Sequence, residues 1–145
     1  MAGDVTTLRQ RSFGLDALGG FFAFGAGASG LSVVTLLWPG GPLDVLWGVN
    51  PDGHAAMLRA RGWAVLLMLV VCAACAATAG GLWARRPWAR TLAIAVLAVN
   101  LLSDLANAVV RGDARTLIGL PIAALLIAYL LAPRTRAAFP HREAE

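Results

Sequence analysis

The sequence is poor in charge and in the side chains that most often bind metals. Only 14% of its 145 residues are charged, none is lysine, and there are two cysteines and two histidines. So few cysteines and histidines leave little room for a metal site or a disulfide framework, and we expect neither a metal nor another cofactor. The hydrophobic fraction is 59%, which is too high for a soluble domain of this size.

The sequence contains four long apolar runs. A helix rises about 1.5 Å per residue, so about 20 residues cross a hydrocarbon core of about 30 Å. We therefore predict an all-α fold, a polytopic membrane protein whose four transmembrane helices form one bundle and whose single membrane domain covers residues 1–145. The predicted helices are 17–38, 63–83, 88–110 and 116–132.

The first run has a rival interpretation as a signal peptide, because Arg9 and Arg11 precede it. The apolar stretch continues for 22 residues, which is longer than the apolar region of a signal peptide. We therefore interpret it as a span that is not cleaved.

The longest connection, residues 39–62, contains three prolines and five glycines, which break any long helix. Two short helical pieces are predicted at 43–47 and 53–61, the second with Asp52 as its N-cap. The apolar residues of the first piece favour the membrane surface over water. We therefore expect a short, partly helical cap outside the cytoplasm.

Arginine distribution predicts the topology. The N-terminal tail, the 84–90 loop and the C-terminal tail together hold eight arginines, whereas the 39–62 connection and the 111–115 turn hold four. The positive-inside rule then places both termini in the cytoplasm of a multi-pass protein of a bacterial inner membrane. Because the arginines sit in short clusters between apolar runs, this rule explains them better than nucleic-acid binding does.

The third predicted helix carries an unusual polar stripe, which we define as Asn100, Ser103, Asp104 and Asn107. At 3.6 residues per turn, Asn100, Asp104 and Asn107 fall on one face. A carboxylate at mid-bilayer costs roughly 2.5–3.5 kcal/mol on insertion scales, so a partner should face the stripe. The arginines predicted at the same membrane side are Arg59, Arg61, Arg111 and Arg115.

This stripe has two interpretations. Either Asp104 anchors an ion-pair and amide network that joins helices, or it lines a pathway for a proton, a cation or a polar ligand. The first requires a dry arginine partner, and the second requires a cavity that reaches the carboxylate.

The first two predicted helices each contain a run of small residues that resembles a functional motif. Cys72 and Cys75 form a C-x-x-C, the spacing of redox thiols, but they lie mid-helix, where a thiolate is strongly disfavoured. The run GAGASG at 25–30 matches G-x-G-x-x-G only formally, because it lies inside an apolar span. Both runs of small residues predict that the first two helices pack closely.

The stretches LWARRPWARTLAIAV at 82–96 and IAYLLAPRTRAAF at 127–139 resemble those of small bacterial four-helix inner-membrane proteins of unknown function. The shared features are a basic, tryptophan-containing hairpin and a final Pro-Arg-x-Arg stop. The resemblance implies a four-helix fold and no particular activity.

Three function classes follow. The first is a non-enzymatic protein that binds lipid or another membrane protein, with a homo-oligomer as one form of this. The second is a small transporter or channel subunit that uses Asn100, Asp104 and Asn107. The third, a thiol/quinone redox protein with Cys72 and Cys75, is the least favoured, because no nucleophile–base pair or metal set is visible within the helices.

Overall fold

The computed structural model describes residues 3–111, 119–136 and 139, and this part of the chain is helical without any strand. The helices are α1 (Gly3–Leu37), a 3₁₀ helix (Pro42–Val49), α2 (Pro51–Arg59), α3 (Arg61–Trp83), α4 (Pro87–Arg111), α5 (Gly119–Leu131) and α6 (Pro133–Arg136). The prediction of an all-α fold is confirmed.

Three segments are long and apolar enough to cross a membrane: Phe13–Leu37, Arg61–Trp83 and Pro87–Val110. A shorter apolar helix, Gly119–Leu131, has 13 residues and covers roughly 20 Å. The fourth predicted helix began at Thr116, and residues 116–118 lie outside the described residues. The four-helix bundle therefore stays a prediction.

Helix α1 begins much earlier than predicted, at Gly3 instead of residue 17. The sequence before residue 17 is polar, but it contains no proline, and polarity alone does not end a helix. Its C-terminal end has a clear cause, because Pro39 cannot continue the ladder and Gly40 adopts a positive φ of 81°. The Gly40 amide then donates to Asp44 Oδ2 over 2.6 Å.

Proline begins four of the helices. Pro42, Pro51, Pro87 and Pro133 each stand at the first residue of a helix, where the missing N–H has no intrahelical partner and φ is already suitable. This corrects the predicted cap segment. Its α-helix starts at Pro51, and Asn50 Oδ1, rather than Asp52, accepts from the Gly53 amide over 3.0 Å.

The α3–α4 connection is a Schellman motif. The Arg86 amide donates to Gly81 O (2.8 Å) and the Arg85 amide to Leu82 O (3.1 Å), and Arg85 has a left-handed φ of 52°. Pro87 starts the next helix directly. Because the turn is so short, α3 and α4 lie within two residues of the predicted bounds, 63–83 and 88–110.

The chain divides into two compact units. The terminal unit comprises Met1–Gly20 with Ala77–Glu145, and the central unit is Phe21–Ala76. Among its buried side chains the terminal unit has Leu15, Leu18, Leu82, Leu97 and Leu130, and the central unit has Phe22, Val33, Leu36, Ala64 and Cys75. Each unit is described by itself below, and the single membrane domain stays a prediction.

Candidate functional site

The polar stripe is divided by its surroundings. Asn100 and Ser103 are exposed, whereas Asp104 and Asn107 are half-buried. Asp104 stands seven residues after the buried Leu97, a spacing that places both on one side of α4. The Asp104 carboxylate therefore lies on the packed side of α4, whereas the Asn100 amide and the Ser103 hydroxyl lie on its exposed surface.

Asp104 lies against the first described residue of α5. A Cβ added at Gly119 would be 2.9 Å from Asp104 Oδ2, so only glycine lets the carboxylate approach the backbone this closely. A negative group is favourable near the first turn of a helix, where backbone amides lack partners. Among the side chains that the structure describes in residues 13–110 and 119–133, no cation pairs with Asp104.

Arg90 binds the C-terminal end of α5. Its Nε donates to Leu130 O over 2.7 Å, and Leu130 lies in the last turn of α5, where carbonyls lack an intrahelical partner. Helices α4 and α5 pack together as an antiparallel pair, since Arg90 meets the end of α5 and Asp104 its beginning. Arg90 and Asp104 thus complement the dipole of α5.

Sequence reasoning did not assign this role to Arg90 or Gly119. A usable signal was present in α4, because Arg90 lies in its first turn and Asp104 in its second half. A cation near the start of one helix and an anion further along it is the pattern expected where the next helix runs antiparallel.

The predicted charge partners of Asp104 fall in different places. In the central unit, Arg61 Nη2 donates to Leu37 O over 3.1 Å, and Arg59 is exposed. The Arg111 side chain and Arg115 lie outside the described residues. An ion pair between any of these four and Asp104 stays a prediction.

The two cysteines are free thiols that fill space beside glycines. Cys72 Sγ donates to Ala26 O over 3.3 Å and would be 3.6 Å from a Cβ at Gly30, while Cys75 Sγ would be 3.5 Å from a Cβ at Gly25. The predicted packing of these small-residue runs is confirmed at these contacts. GAGASG lies inside α1, and no strand precedes it in the described residues. A dinucleotide-binding turn would follow a strand, so the run is a packing face.

The cap segment contains a polar cluster that sequence reasoning missed. Trp47 Nε1 donates to Thr35 Oγ1 (2.9 Å), and this hydroxyl donates to Ser32 O (2.9 Å). The Trp47 ring also stacks on His54, with centroids 4.7 Å apart and planes at 5°. The signal was the three-residue spacing of Gly41, Asp44 and Trp47, which is the period of a 3₁₀ helix.

No group of three His, Cys, Asp or Glu side chains comes together in the described part of the chain. The arrangement therefore offers packing faces and helix-end charges instead of a reactive constellation. No known protein family, curated protein or solved structure matches this chain.

Proposed function

We propose that this chain is a small integral membrane protein that binds lipid or another membrane protein through its helix bundle, without catalysis. The bundle consists of α1, α3, α4 and α5. The observation that carries the proposal is the exposure of large apolar side chains along the three candidate spans and the shorter apolar helix α5. Phe24 on α1, Leu67 on α3, Leu102 on α4 and Leu125 on α5 are all more than half exposed.

Such surfaces suit lipid and neighbouring helices. In water, an apolar surface that continues along several helices marks an interaction site or causes aggregation. In a bilayer, the same surface rests against acyl chains, and helices associate through packing and hydrogen bonds. The α4 surface offers both, because exposed Leu102 lies beside exposed Ser103.

The charges in the helices support a structural role. Arg90 and Asp104 lie at opposite ends of α5, and each meets a helix terminus of opposite polarity. Their positions are explained by the α4–α5 pair without any reaction or ligand. This agrees with a protein that acts by binding.

The proposal includes the location and the topology. We place the chain in a bacterial inner membrane, with both termini in the cytoplasm and the cap segment on the other side, as the arginine distribution favours. A protease-sensitive tag at either terminus should be cleaved in inverted vesicles and protected in intact cells. Protection in inverted vesicles would contradict this orientation.

Site-specific photo-crosslinking in native membranes tests the binding function. A photoreactive residue at Leu102 should form adducts with lipid or with a discrete membrane protein. The matched control is Ala84, which is exposed but lies in the α3–α4 turn outside the spans, and it should form neither. Equal adducts at both positions, or release of the protein by alkaline carbonate, would contradict the proposal.

The alternative function is a transporter or channel subunit. It is favoured by one observation, the half-buried Asp104 within a candidate span, next to exposed Ser103. Vesicles with the reconstituted protein and a proton-sensitive dye separate the two functions. A proton flux that Asp104→Asn abolishes would overturn the binding function, which predicts equal, background flux for both proteins.

A thiol/quinone redox function is the second alternative. It would need thiols that can reach an electron acceptor. Cys72 instead donates to Ala26 O, and Cys75 is buried beside Gly25. The geometry supports a packing role for both residues.

A further inference from the structure

The 3₁₀ helix of the cap segment has an inner and an outer line of side chains. Its three-residue period leaves Gly41, Asp44 and Trp47 half-buried. Leu43, Leu46 and Val49 share another line and are exposed, with Val49 at 89%. An apolar ridge therefore points away from the unit to which the helix belongs.

This ridge lies beside the last turn of the α1 span. Trp47 Nε1 binds Thr35 Oγ1, and Thr35 is two residues before the end of the candidate span at Leu37. Two residues correspond to about 3 Å of helix. If α1 crosses the membrane, the ridge is at the level where acyl chains meet headgroups, and exposed Trp38 and Trp63 are placed as interfacial anchors.

A cleft opens between α1 and the 3₁₀ helix at this level. Its volume is about 160 Å³ and its walls are almost entirely apolar. The lining residues are Val34, Thr35, Trp38, Gly41, Pro42 and Leu43. A partly open apolar cleft beside a span fits a hydrocarbon chain better than a polar ligand, because a polar ligand would lose its hydration there.

A cation stands next to this cleft. Arg61 Nη2 donates to Leu37 O, the residue before the cleft-lining Trp38. A guanidinium has five N–H donors, so most of them are free for another acceptor, and Arg61 is exposed. Its planar fork matches the oxygens of a phosphate group. The carboxylate of the cap, Asp44, accepts from the Gly40 amide through Oδ2, and its Oδ1 is buried without a hydrogen-bond partner among the described residues.

We propose that this edge of the central unit binds one membrane phospholipid, with a short segment of one acyl chain in the cleft and the phosphate at Arg61. The proposal rests on the proposed membrane function and names its ligand class. The charge complementarity at Arg61 and the continuity of the cleft with the span surface identify a phospholipid as the occupant.

Native mass spectrometry of the full-length protein, released from detergent with dioleoyl-phosphatidylglycerol, tests the site. Wild type should retain one lipid. Val34→Phe, which fills the cleft, and Arg61→Gln, which removes the charged donor, should each weaken retention roughly tenfold, the effect of one lost charged hydrogen bond or its equivalent. Dioleoylglycerol lacks the phosphate. The wild-type protein should therefore retain it as weakly as Arg61→Gln retains phosphatidylglycerol.

Two matched controls separate the site from general effects. Val70→Phe enlarges an exposed valine of α3 outside the cleft, and Arg59→Gln removes an exposed arginine of the same segment, so both should retain lipid like wild type. Equal retention by all five proteins would overturn the site, as would a lipid-free dimer. Carbonate release of wild type would instead overturn the membrane function itself.

Discussion

The two compact units bring their helices together in different ways. In the terminal unit, glycines meet aromatic rings: Tyr129 lies against Gly14, and Trp83 lies against Gly19. In the central unit, Gly25 faces the sulfur of Cys75, and a Cβ there would be at an ordinary contact distance of 3.5 Å. The terminal unit therefore requires glycine where these helices meet, whereas the helix contacts of the central unit at Gly25 and Gly30 only permit it.

Both units also contain an arginine that binds the end of a helix, and the two arginines differ in burial. An arginine donates to a carbonyl in the last turn of a helix in both: Arg90 to Leu130 O in the terminal unit and Arg61 to Leu37 O in the central unit. Arg90 is half-buried and Arg61 is exposed. Because water and salt screen exposed charges, the same type of hydrogen bond should stabilise the terminal unit more than the central unit.

Replacement of these two arginines should give the largest difference. Arg90→Gln should lower the free energy of unfolding by about 1.5–3 kcal/mol, because a buried carbonyl loses a charged donor. Arg61→Gln should lower it by less than about 1 kcal/mol, because water replaces the donor at the exposed site. Denaturant titration in detergent measures both, and equal losses would remove the distinction between buried and exposed helix ends.

Glycine replacement sharpens the packing comparison. A Cβ at Gly81 would be 2.6 Å from Ala89 Cβ and 2.8 Å from Trp88 Cη2, so Gly81→Ala should cost about 1–3 kcal/mol through overpacking. Gly25→Ala should be neutral or stabilising by up to about 1 kcal/mol, because alanine is the better helix former.

Gly80→Ala is the control for both glycine replacements, since no atom beyond its own helix lies within 4 Å of its added Cβ. Thermal unfolding in one detergent should rank the variants with Gly81→Ala lowest. If Gly25→Ala were as harmful as Gly81→Ala, the central unit would require its glycines too.

A double-mutant cycle tests whether Asp104 is held against α5. Gly119→Ala places a Cβ 2.9 Å from Asp104 Oδ2, and the carboxylate must move, which should cost about 1 kcal/mol. Asp104→Ala removes that obstacle, so the double variant should lose less than the sum of the single variants by at least about 0.5 kcal/mol. Additive losses would show that the two residues do not touch.

The helix boundaries could be predicted where prolines, glycines or N-cap residues mark them in the sequence. The α3 and α4 boundaries follow from Gly81, Pro87 and the edges of the apolar runs, and the prediction came within two residues. The α1 start was wrong because nothing in the polar tail forbids a helix. At the cap, Asn50 and Asp52 are both good N-caps, and Pro51 between them decides in favour of Asn50 by occupying the first helical position.

The candidate site was only partly predictable, for a different reason. Periodicity placed Asp104 on the face of α4, but the approach of α5 decides which stripe residues are covered. The density of small residues in GAGASG likewise indicated a contact, yet the tightest glycine contacts are at Gly14 and Gly19, which meet Tyr129 and Trp83. Close approach depends on the partner's side chain, which local sequence does not specify.

A modest effect is expected where the cap segment docks on α1. Trp47→Phe removes the indole donor to Thr35 Oγ1 and keeps an aromatic ring for His54, so it should cost about 0.5–1.5 kcal/mol, the value of one neutral hydrogen bond. Thr35→Val should cost a similar amount, and the double variant should cost little more than either, because both remove one bond. A loss as large as that of Arg90→Gln would show that the cap segment stabilises the central unit as strongly as the half-buried Arg90 stabilises the terminal unit.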